Sequence, residues 1–298
     1  MKPPPFDYVA PRMLQEALAV LGETGVDTKV IAGGQSLVPM MNFRLARPER
    51  LVDVNRVSGI SQLRKQSGTL RIGAMTRQAT VERSATVARH WPLLHRALAF
   101  VGHPQIRNRG TIGGSIAHAD PGAEICTTLL AYDGSVEVAS IRGTRAIAAR
   151  DLFLGQFVTS LETDELITAI VLPAHRSSTG TAFHEVARRR GDFALAGAAA
   201  VLTTDEAGRC THAALSLLGV ASTPVRATVA EDLLVGSTLT RTLLAEVVEA
   251  ASAGLSPASD VHGSSTYRVQ ALREMVRRSV TDAFGNATDG AEQVRSAS

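Results

Sequence analysis

The sequence predicts an α+β fold in two parts, a larger N-terminal domain and a smaller C-terminal domain. Strand-like and helical segments alternate over the first 74 residues, which gives a β-α-β opening. A short polar stretch, AHRSSTGT at 174–181, has the composition of a linker. Strand-like apolar runs and two helical segments follow it. We expect domains at residues 1–176, with subdomains near 1–56 and 57–176, and at 177–285, then a disordered tail at 286–298.

The first elements follow from apolar spacing and from glycine and proline positions. Residues 12–22 carry apolar residues at helical spacing and stop at Gly22, a predicted C-terminal cap. TKVIAGG then predicts a short strand that enters a glycine turn. The next helix begins near Ser36, and Pro39 falls in its first turn, where a missing N–H does no harm. Two further strands are predicted at 51–55 and 69–74.

The middle of the chain predicts helices and then strands. Residues 76–100 have a helical pattern, and HPQIRNRG at 103–110 is expected to be a polar connector into a second glycine stretch. Asp120 and Pro121 predict a helix start, with a capping carboxylate followed by a first-turn proline. That helix should run to about 131 and bury Cys126 as a small apolar residue. Strands are predicted at 135–140 and 164–173.

Beyond the linker, three apolar runs predict a new sheet. They are AFHEVARR, ALAGAAAVLTT and CTHAALSLLG. Helical patterns near 240–253 and 264–285 close the domain.

Composition and charge argue against several classes of protein. The formal net charge is only +3, so there is no strong electrostatic basis for a nucleic-acid partner. The N-terminus lacks the apolar stretch of a secretory signal, and no apolar run is long enough to predict a membrane span. The two cysteines, Cys126 and Cys210, are typical of a reducing cytoplasm and too few to ligate a zinc ion or an iron–sulfur cluster alone.

Two glycine segments carry the main chemical signal. AGGQS (32–36) and TIGGS (111–115) each have two adjacent glycines and end in a serine hydroxyl, and each is followed by a helical pattern. Backbone N–H groups without a nearby β-carbon can approach a phosphate, and the start of a helix favours an anion. A pair of such segments could grip a diphosphate from two sides. The alternative is that each is only a turn with positive φ. The GxGxxG and GxxxxGK[ST] motifs are absent from both.

Other polar groups give weaker signals. Ser115, His118 and Asp120 lie too close in sequence for a hydrolase triad, and GGSIA is not a GxSxG elbow. His103 and His118 lack a third ligand at a metal-binding spacing. We therefore assign no catalytic residue and no metal ligand from the sequence.

Three segments resemble a known family in their order and spacing. They are AGGQSLVPMMNFRLARPERLVDVNRV at 32–57, HPQIRNRGTIGGSIAHADPGAE at 103–124 and RRRGDFALAGAAAVL at 188–202. Together they resemble the FAD-binding medium subunit of the molybdenum hydroxylases, the xanthine dehydrogenase family, and most of all the medium subunit of aerobic carbon monoxide dehydrogenase. The resemblance covers residues 1 to about 285. It implies a two-subdomain FAD-binding domain of the vanillyl-alcohol-oxidase (PCMH) type, then a C-terminal α+β domain with an antiparallel sheet and helices.

The resemblance also implies which residues bind FAD. In this family the two glycine segments hold the diphosphate, Asp120 hydrogen-bonds the sugar-like chain of the flavin, and Leu166 lies near its ring. Relatives commonly have tyrosine beside the ring where this chain has Phe193, which removes a hydroxyl, and many have histidine in place of Gln35. The residues of the two segments are Ala32, Gly33, Gly34, Gln35 and Ser36 on one side and Thr111, Ile112, Gly113, Gly114 and Ser115 on the other.

By the same resemblance, the chain is the electron-transfer subunit of a larger oxidoreductase. A large subunit with molybdopterin oxidises the substrate, a small subunit with two [2Fe–2S] clusters relays electrons, and FAD passes them to a quinone or another acceptor. The expected assembly is a dimer of heterotrimers in the cytoplasm, or at the inner face of the membrane. Carbon monoxide is the favoured substrate, and a purine or N-heterocycle of the xanthine, caffeine or nicotine type is the alternative.

Two rival functions belong to other classes. A self-sufficient flavin oxidase needs a large substrate-capping domain, and the C-terminal part of this chain is short for that purpose. A non-catalytic nucleotide-binding or scaffold module would show no flavin absorbance.

Overall fold

The computed structural model describes residues 2–174 and 178–296, and its first segment is a small parallel sheet with two helices. The sheet order is β1-β3-β2, and both strand pairs are parallel. Helix α1 buries Ala17, Leu18 and Leu21, as the apolar spacing predicts. The elements are β1 (Asp7–Val9), α1 (Leu14–Leu21), β2 (Thr28–Ile31), α2 (Leu37–Asn42) and β3 (Arg50–Asp53), then a 3-10 turn at Val54–Arg56.

The second segment is an antiparallel sheet covered by short helices. Its strand order is β4-β5-β10-β6-β7, and a two-stranded hairpin, β8 with β9, stands apart from it. The elements are β4 (Leu63–Gln66), β5 (Thr69–Gly73), α3 (Gln78–Glu82), α4 (Ala85–His90), α5 (Pro92–Leu98), α6 (Pro104–Arg109), α7 (Ile112–His118), α8 (Glu124–Ala131), β6 (Ser135–Ser140), β7 (Gly143–Ala148), α9 (Ala149–Leu152), β8 (Phe153–Gly155), β9 (Val158–Thr159) and β10 (Leu166–Leu172).

Two predictions in this segment are wrong. The expected polar connector is helix α6, which begins with Pro104 in its first turn and ends at Arg109. Polar residues are tolerated there because Arg107 is buried against Glu82, at 2.8 Å and 2.9 Å in a bidentate pair. Asp120 does not cap helix α8, which begins four residues later. Its Oδ1 instead accepts from the backbone N–H of Gly122 at 2.8 Å, in a separate turn.

The third segment is a four-stranded antiparallel sheet with helices on one face. The strand order is β11-β12-β13-β14. Strand β12 is rich in alanine, and small side chains let the last helix approach closely: Ser279 on that helix donates to the carbonyl of Ala198 at 2.8 Å. The elements are β11 (Thr179–Val186), β12 (Ala196–Thr204), β13 (Cys210–Leu218), β14 (Val225–Arg226), α10 (Thr228–Leu234), α11 (Arg241–Ser252) and α12 (Ser265–Ser296).

Helix α12 extends well beyond its predicted end at 285. Residues 286–296, for which the sequence predicts disorder, continue the helix. Ala287 is buried, and the side-chain amide of Asn286 donates to the carbonyl of Thr181 at 3.0 Å. The polar composition hides this extension, and among residues 286–289 the buried side chain is the small Ala287. The predicted domain boundary at 176/177 and the last two residues of the tail lie outside the described residues.

The mixed helix and strand architecture confirms the predicted α+β class, and one hydrophobic core crosses from the second segment into the third. It contains Trp91 and Leu129 from the second segment and Phe183 and Leu218 from the third. The rings of Phe100 and Phe183 lie 5.4 Å apart across this boundary. Cys126 is buried in the same core, as expected. None of the described helices is both long and apolar enough to cross a membrane.

Candidate functional site

The two glycine segments lie side by side, although nearly eighty positions separate them in the sequence. An ideal β-carbon on Gly33 would lie 2.9 Å from the α-carbon of Gly110, immediately before the second segment. An ideal β-carbon on Gly114 would lie 3.5 Å from that of Ala32. Glycine is therefore needed at 33 because backbone touches backbone there. Gly34 has φ of +75°, a conformation that favours glycine.

A cavity of about 330 Å³ opens beside the first segment. It contains most of the predicted residues of that segment together with polar groups from β3 and from the end of α6. The lining residues are Ile31, Ala32, Gly33, Gly34, Gln35, Val38, Pro39, Asp53, Asn55 and Arg109.

The first segment offers free hydrogen-bond donors. Within the described residues, no acceptor faces the backbone N–H groups of Gly33, Gly34, Gln35 or Ser36. The side-chain amide of Gln35 donates to the carbonyl of Gly33 at 3.1 Å, so the turn is closed by its own side chain. The hydroxyl of Ser36, at the start of α2, makes no capping bond. A run of N–H groups beside a cavity is a donor set that suits an anion such as a phosphate.

The second segment differs from the expectation that both segments present free N–H groups. Its glycines lie in the first turn of α7, and its N–H groups are used within the protein. Ile112 donates to the carbonyl of Thr76 at 3.1 Å, Gly113 to that of Ala74 at 2.9 Å, and Gly114 to the hydroxyl of Thr111 at 3.1 Å. The sequence cannot reveal these acceptors, two of which come from the turn that follows β5. The second segment thus packs against the first segment and supports it, and its own N–H groups are hydrogen-bonded within the protein.

A polar network, missed by the sequence analysis, holds the two segments together. The side-chain amide of Asn55 donates to the carbonyl of Ala32 at 2.7 Å. Arg77 donates to Oδ1 of Asn55 at 2.7 Å and, with its other terminal nitrogen, to the carbonyl of Arg109. The guanidinium group of Arg77 therefore links Asn55, which bonds to the first segment, with Arg109, which precedes the second segment. The only sequence signal was the polar DVN after an apolar strand.

Asp53 and Tyr8 complete this network from β3 and β1. Asp53 Oδ1 accepts from the backbone and side chain of Asn55 at 2.8 Å and 2.6 Å, and Oδ2 accepts from the hydroxyl of Tyr8. Burial alone would raise the pKa of Asp53, but the hydrogen bonds from Tyr8 and Asn55 outweigh it and lower that pKa. Asp53 is consequently a charged carboxylate that orients Asn55.

At the other end of α7, the chain turns sharply at Ala119, which has φ of +52°, and reaches Asp120. Burial raises the pKa of the Asp120 carboxyl. The neighbouring His118 stacks on the ring of Phe157, with 4.9 Å between ring centres, and burial lowers its pKa. Asp120, His118 and Phe157 thus form a partly buried group of acidic and aromatic side chains, named the Asp120 corner below.

The loop that carries Phe193 packs on the turn at Asp120 and Gly122. An ideal β-carbon on Gly122 would be 3.3 Å from the carbonyl oxygen of Ala194, so the loop that carries Phe193 packs on the Asp120 turn. The Phe193 side chain itself is 63% exposed. Leu166, by contrast, is 6% exposed and belongs to the small core against which Ala32 packs, below the glycine segments.

The fold and the cavity beside free N–H groups define a protein with a site that suits a phosphate-bearing ligand, and comparison with known proteins specifies the family. Residues 4–175 match the FAD binding domain in molybdopterin dehydrogenase, and residues 181–283 match the CO dehydrogenase flavoprotein C-terminal domain. The chain belongs to the FAD-binding medium subunits of the molybdenum hydroxylases, within the carbon monoxide and xanthine dehydrogenase family. This confirms the resemblance stated from the sequence.

Individual relatives are similar over nearly their whole length. The chain is 47% identical to the 6-hydroxypseudooxynicotine dehydrogenase complex subunit alpha of Paenarthrobacter nicotinovorans, over 96% of this chain and 97% of that protein. It is 37% identical to the carbon monoxide dehydrogenase medium chain of Hydrogenophaga pseudoflava, over 95% and 99%. A solved structure of carbon monoxide dehydrogenase from that organism, lacking the Mo-pyranopterin moiety, matches with a TM-score of 0.93 at 38% identity, over 96% and 99%.

Proposed function

We propose that this chain binds FAD along helix α7 and passes electrons through it as one subunit of a molybdenum hydroxylase. The observation that carries the proposal is the run of free N–H groups at Gly33 to Ser36 beside the cavity, at one end of that helix. The Asp120 corner lies at the other end. Helix α7 has seven residues, about 10 Å of rise. An extended ligand with a diphosphate at one end and a flat ring at the other fits this spacing.

Each residue then has a distinct part. The N–H groups of the first segment donate to the diphosphate, and the Thr111 to Ser115 segment supports them from behind. Asp120 accepts hydrogen bonds from hydroxyls of the chain that joins the diphosphate to the ring. Phe193 covers the ring with an apolar face, without the hydroxyl that tyrosine would add. Leu166 packs in the small core below the first segment and supports it.

The bound flavin would supply the redox chemistry, since it exchanges electrons singly or in pairs. The residues of this chain bind it, orient it and exclude water from one face. The proposed partners are a large molybdopterin subunit and a small subunit with two [2Fe–2S] clusters, in a dimer of heterotrimers. A quinone or another acceptor would receive the electrons. We place the complex in the cytoplasm, with the inner membrane face as the second location.

For the holoenzyme we propose an N-heterocyclic substrate of the nicotine type, with carbon monoxide as the second candidate. This reverses the order favoured by the sequence resemblance. The reason is the identity of 47% to the subunit of the 6-hydroxypseudooxynicotine complex, against 37% to the carbon monoxide dehydrogenase chain. The large subunit carries the substrate site, so the assay must use the three-subunit complex.

Two measurements test the proposal. The purified chain, incubated with FAD and desalted, should show the visible absorbance bands of a bound flavin, and a flavin-free spectrum would contradict FAD binding. The three-subunit complex should then reduce an artificial acceptor with a nicotine-derived heterocycle, whereas the isolated chain should not. Substrate oxidation by the isolated chain would contradict the electron-transfer role.

A further inference from the structure

The cavity beside the first glycine segment has an excess of positive charge. Arg109 lines it, and Arg77 lies close enough that its pKa is lowered, first by its own burial and then by the charge of Arg109. Arg56 acts on the same surroundings through its charge on Asp53. The opposing group is the Asp53 carboxylate, whose two oxygens already accept from Tyr8 and Asn55. Three guanidinium groups thus stand near one carboxylate that is already hydrogen-bonded.

Arg109 differs from the arginine two positions before it. Arg107 is buried and makes a bidentate pair with Glu82, so it is structural. The Arg109 side chain is exposed, and within the described residues its guanidinium group has no carboxylate or carbonyl partner. The sequence QIRNR therefore gives one arginine that holds helix α6 and one that is free at the cavity.

The backbone of Arg109 is nevertheless firmly placed. Its carbonyl accepts from Arg77, and the next residue, Gly110, donates to the carbonyl of Ile106 at 2.6 Å and touches Gly33. The side chain projects from a fixed point, next to the free N–H groups of the first segment. Only its side-chain rotamers must be ordered when a ligand binds, which spares the entropic cost of ordering the backbone.

We propose that Arg109 is the side-chain counter-ion of the ligand's diphosphate. The inference rests on the proposed FAD function and adds to it a residue outside both glycine segments. Backbone N–H groups carry no net charge, whereas a diphosphate has two negative charges that Asp53 would repel. A guanidinium group offers paired donors that match phosphate oxygens and neutralises part of that charge.

The test compares ligands with and without a diphosphate on the full-length, flavin-free chain. Arg109→Gln should raise the Kd for FAD and for ADP about tenfold, as expected for loss of a charge-assisted hydrogen bond. Arg109→Lys keeps the charge without the paired donors, so its Kd values should lie between those of the parent and those of Arg109→Gln. Riboflavin, which has no phosphate, should bind the variant and the parent equally. Added salt should weaken FAD binding more steeply in the parent than in Arg109→Gln.

Arg96→Gln is the matched control, because Arg96 is an exposed arginine on α5 away from the cavity. It should leave all three Kd values unchanged. Unaltered FAD and ADP affinity in Arg109→Gln overturns the counter-ion role, and so does an equal loss for riboflavin. If the parent chain binds neither FAD nor ADP, the proposed function falls as well, so the two failures are distinguishable.

Discussion

Gly33 and Gly110 touch through their backbones, with 2.9 Å between the α-carbon of Gly110 and the place where a β-carbon on Gly33 would lie. This contact explains the two adjacent glycines in the first segment. Gly33 lets the second segment approach, and Gly34 has the positive φ that the turn beside the cavity requires. The alternative that these glycines serve only a turn describes Gly34 in part, and it does not account for Gly33.

Gly33→Ala should separate the two segments. The added methyl group has backbone atoms as neighbours, which cannot move aside cheaply, so we expect a loss of about 1–3 kcal/mol in the free energy of unfolding. Flavin content after purification should fall with it. Gly155→Ala is the control, because its β-carbon would lie 3.8 Å from that of Val158, an ordinary contact. Equal flavin content in Gly33→Ala and the parent would show that the contact is dispensable.

Arg226→Met should loosen the junction between the two domains. Arg226 pairs with both carboxylate oxygens of Glu231, at 2.6 Å and 2.8 Å, and with Asp133 across the junction at 2.6 Å. Removing it leaves the buried Glu231 without its counter-ion, at a cost of about 3 kcal/mol. Urea unfolding measures this loss. The control Arg278→Met breaks an exposed pair with Glu274 and should cost less than about 0.5 kcal/mol. Similar losses in both variants would refute the special role of Arg226.

The contribution of Glu185 and Glu124 to stability should fall as the pH rises from about 4.5 to about 7. Burial raises the pKa of Glu185 from 4.5 to about 7, and Oε2 of this residue has no partner in the described part of the chain. Buried Glu124 also has a raised pKa, because of its burial and then the charge of Glu185; Asp120 adds to this effect, and Arg107 opposes it. In that pH range these two carboxyls hold more protons in the native state than in the unfolded state, so their contribution to the unfolding free energy falls as base is added, whereas His118, whose pKa burial lowers, contributes in the opposite direction.

Glu185→Gln removes one of these titrating groups. Its unfolding free energy should decline less over the same range and exceed that of the parent by about 2 kcal/mol above pH 7. At pH 4, where both carboxyls are protonated, the two proteins should be equally stable. Glu246→Gln, an exposed change on α11, should leave the profile unaltered. Parallel profiles for Glu185→Gln and the parent from pH 4.5 to 7 would contradict the shared burial of these carboxyls.

Two glycines at the contact between α12 and the sheet should respond in opposite directions to alanine. Gly285 is exposed within the helix and its β-carbon would meet nothing within 4 Å, so Gly285→Ala should stabilise the protein by about 0.5–1 kcal/mol. A β-carbon on Gly180 of β11 would lie 2.8 Å from the carbonyl carbon of Asn286 in the helix, so Gly180→Ala should destabilise the protein. Thermal unfolding midpoints compare the two, and shifts of the same sign would argue against this helix placement.

Much of the fold could be predicted from local patterns, because apolar periodicity and glycine turns are local. Strands β2, β5, β12 and β13 lie close to where the sequence predicts them. Helix α6 was missed because its one buried side chain, Arg107, is polar and depends on Glu82, which is far away in the sequence. The role of Asp120 was misjudged because a capping pattern does not reveal that the next helix begins later.

The site was predictable only in part for the same reason. The glycine segments are visible as strings of letters, but their different use of N–H groups is not. Gly113 and Gly114 bond to partners in the protein, whereas Gly33 and Gly34 do not. Asn55 and Arg77 act through contacts across more than twenty positions, and the DVN string shows that polar residues follow a strand without showing what they contact.

Phe100 and Phe183 lie in one apolar core that both domains build together. A chimera that takes its C-terminal domain from a relative must therefore match side-chain volumes across this seam, or it will form a void of several methyl groups. Substitutions in the shared core must therefore be matched between the two domains. In denaturant the two domains should unfold in a single cooperative transition.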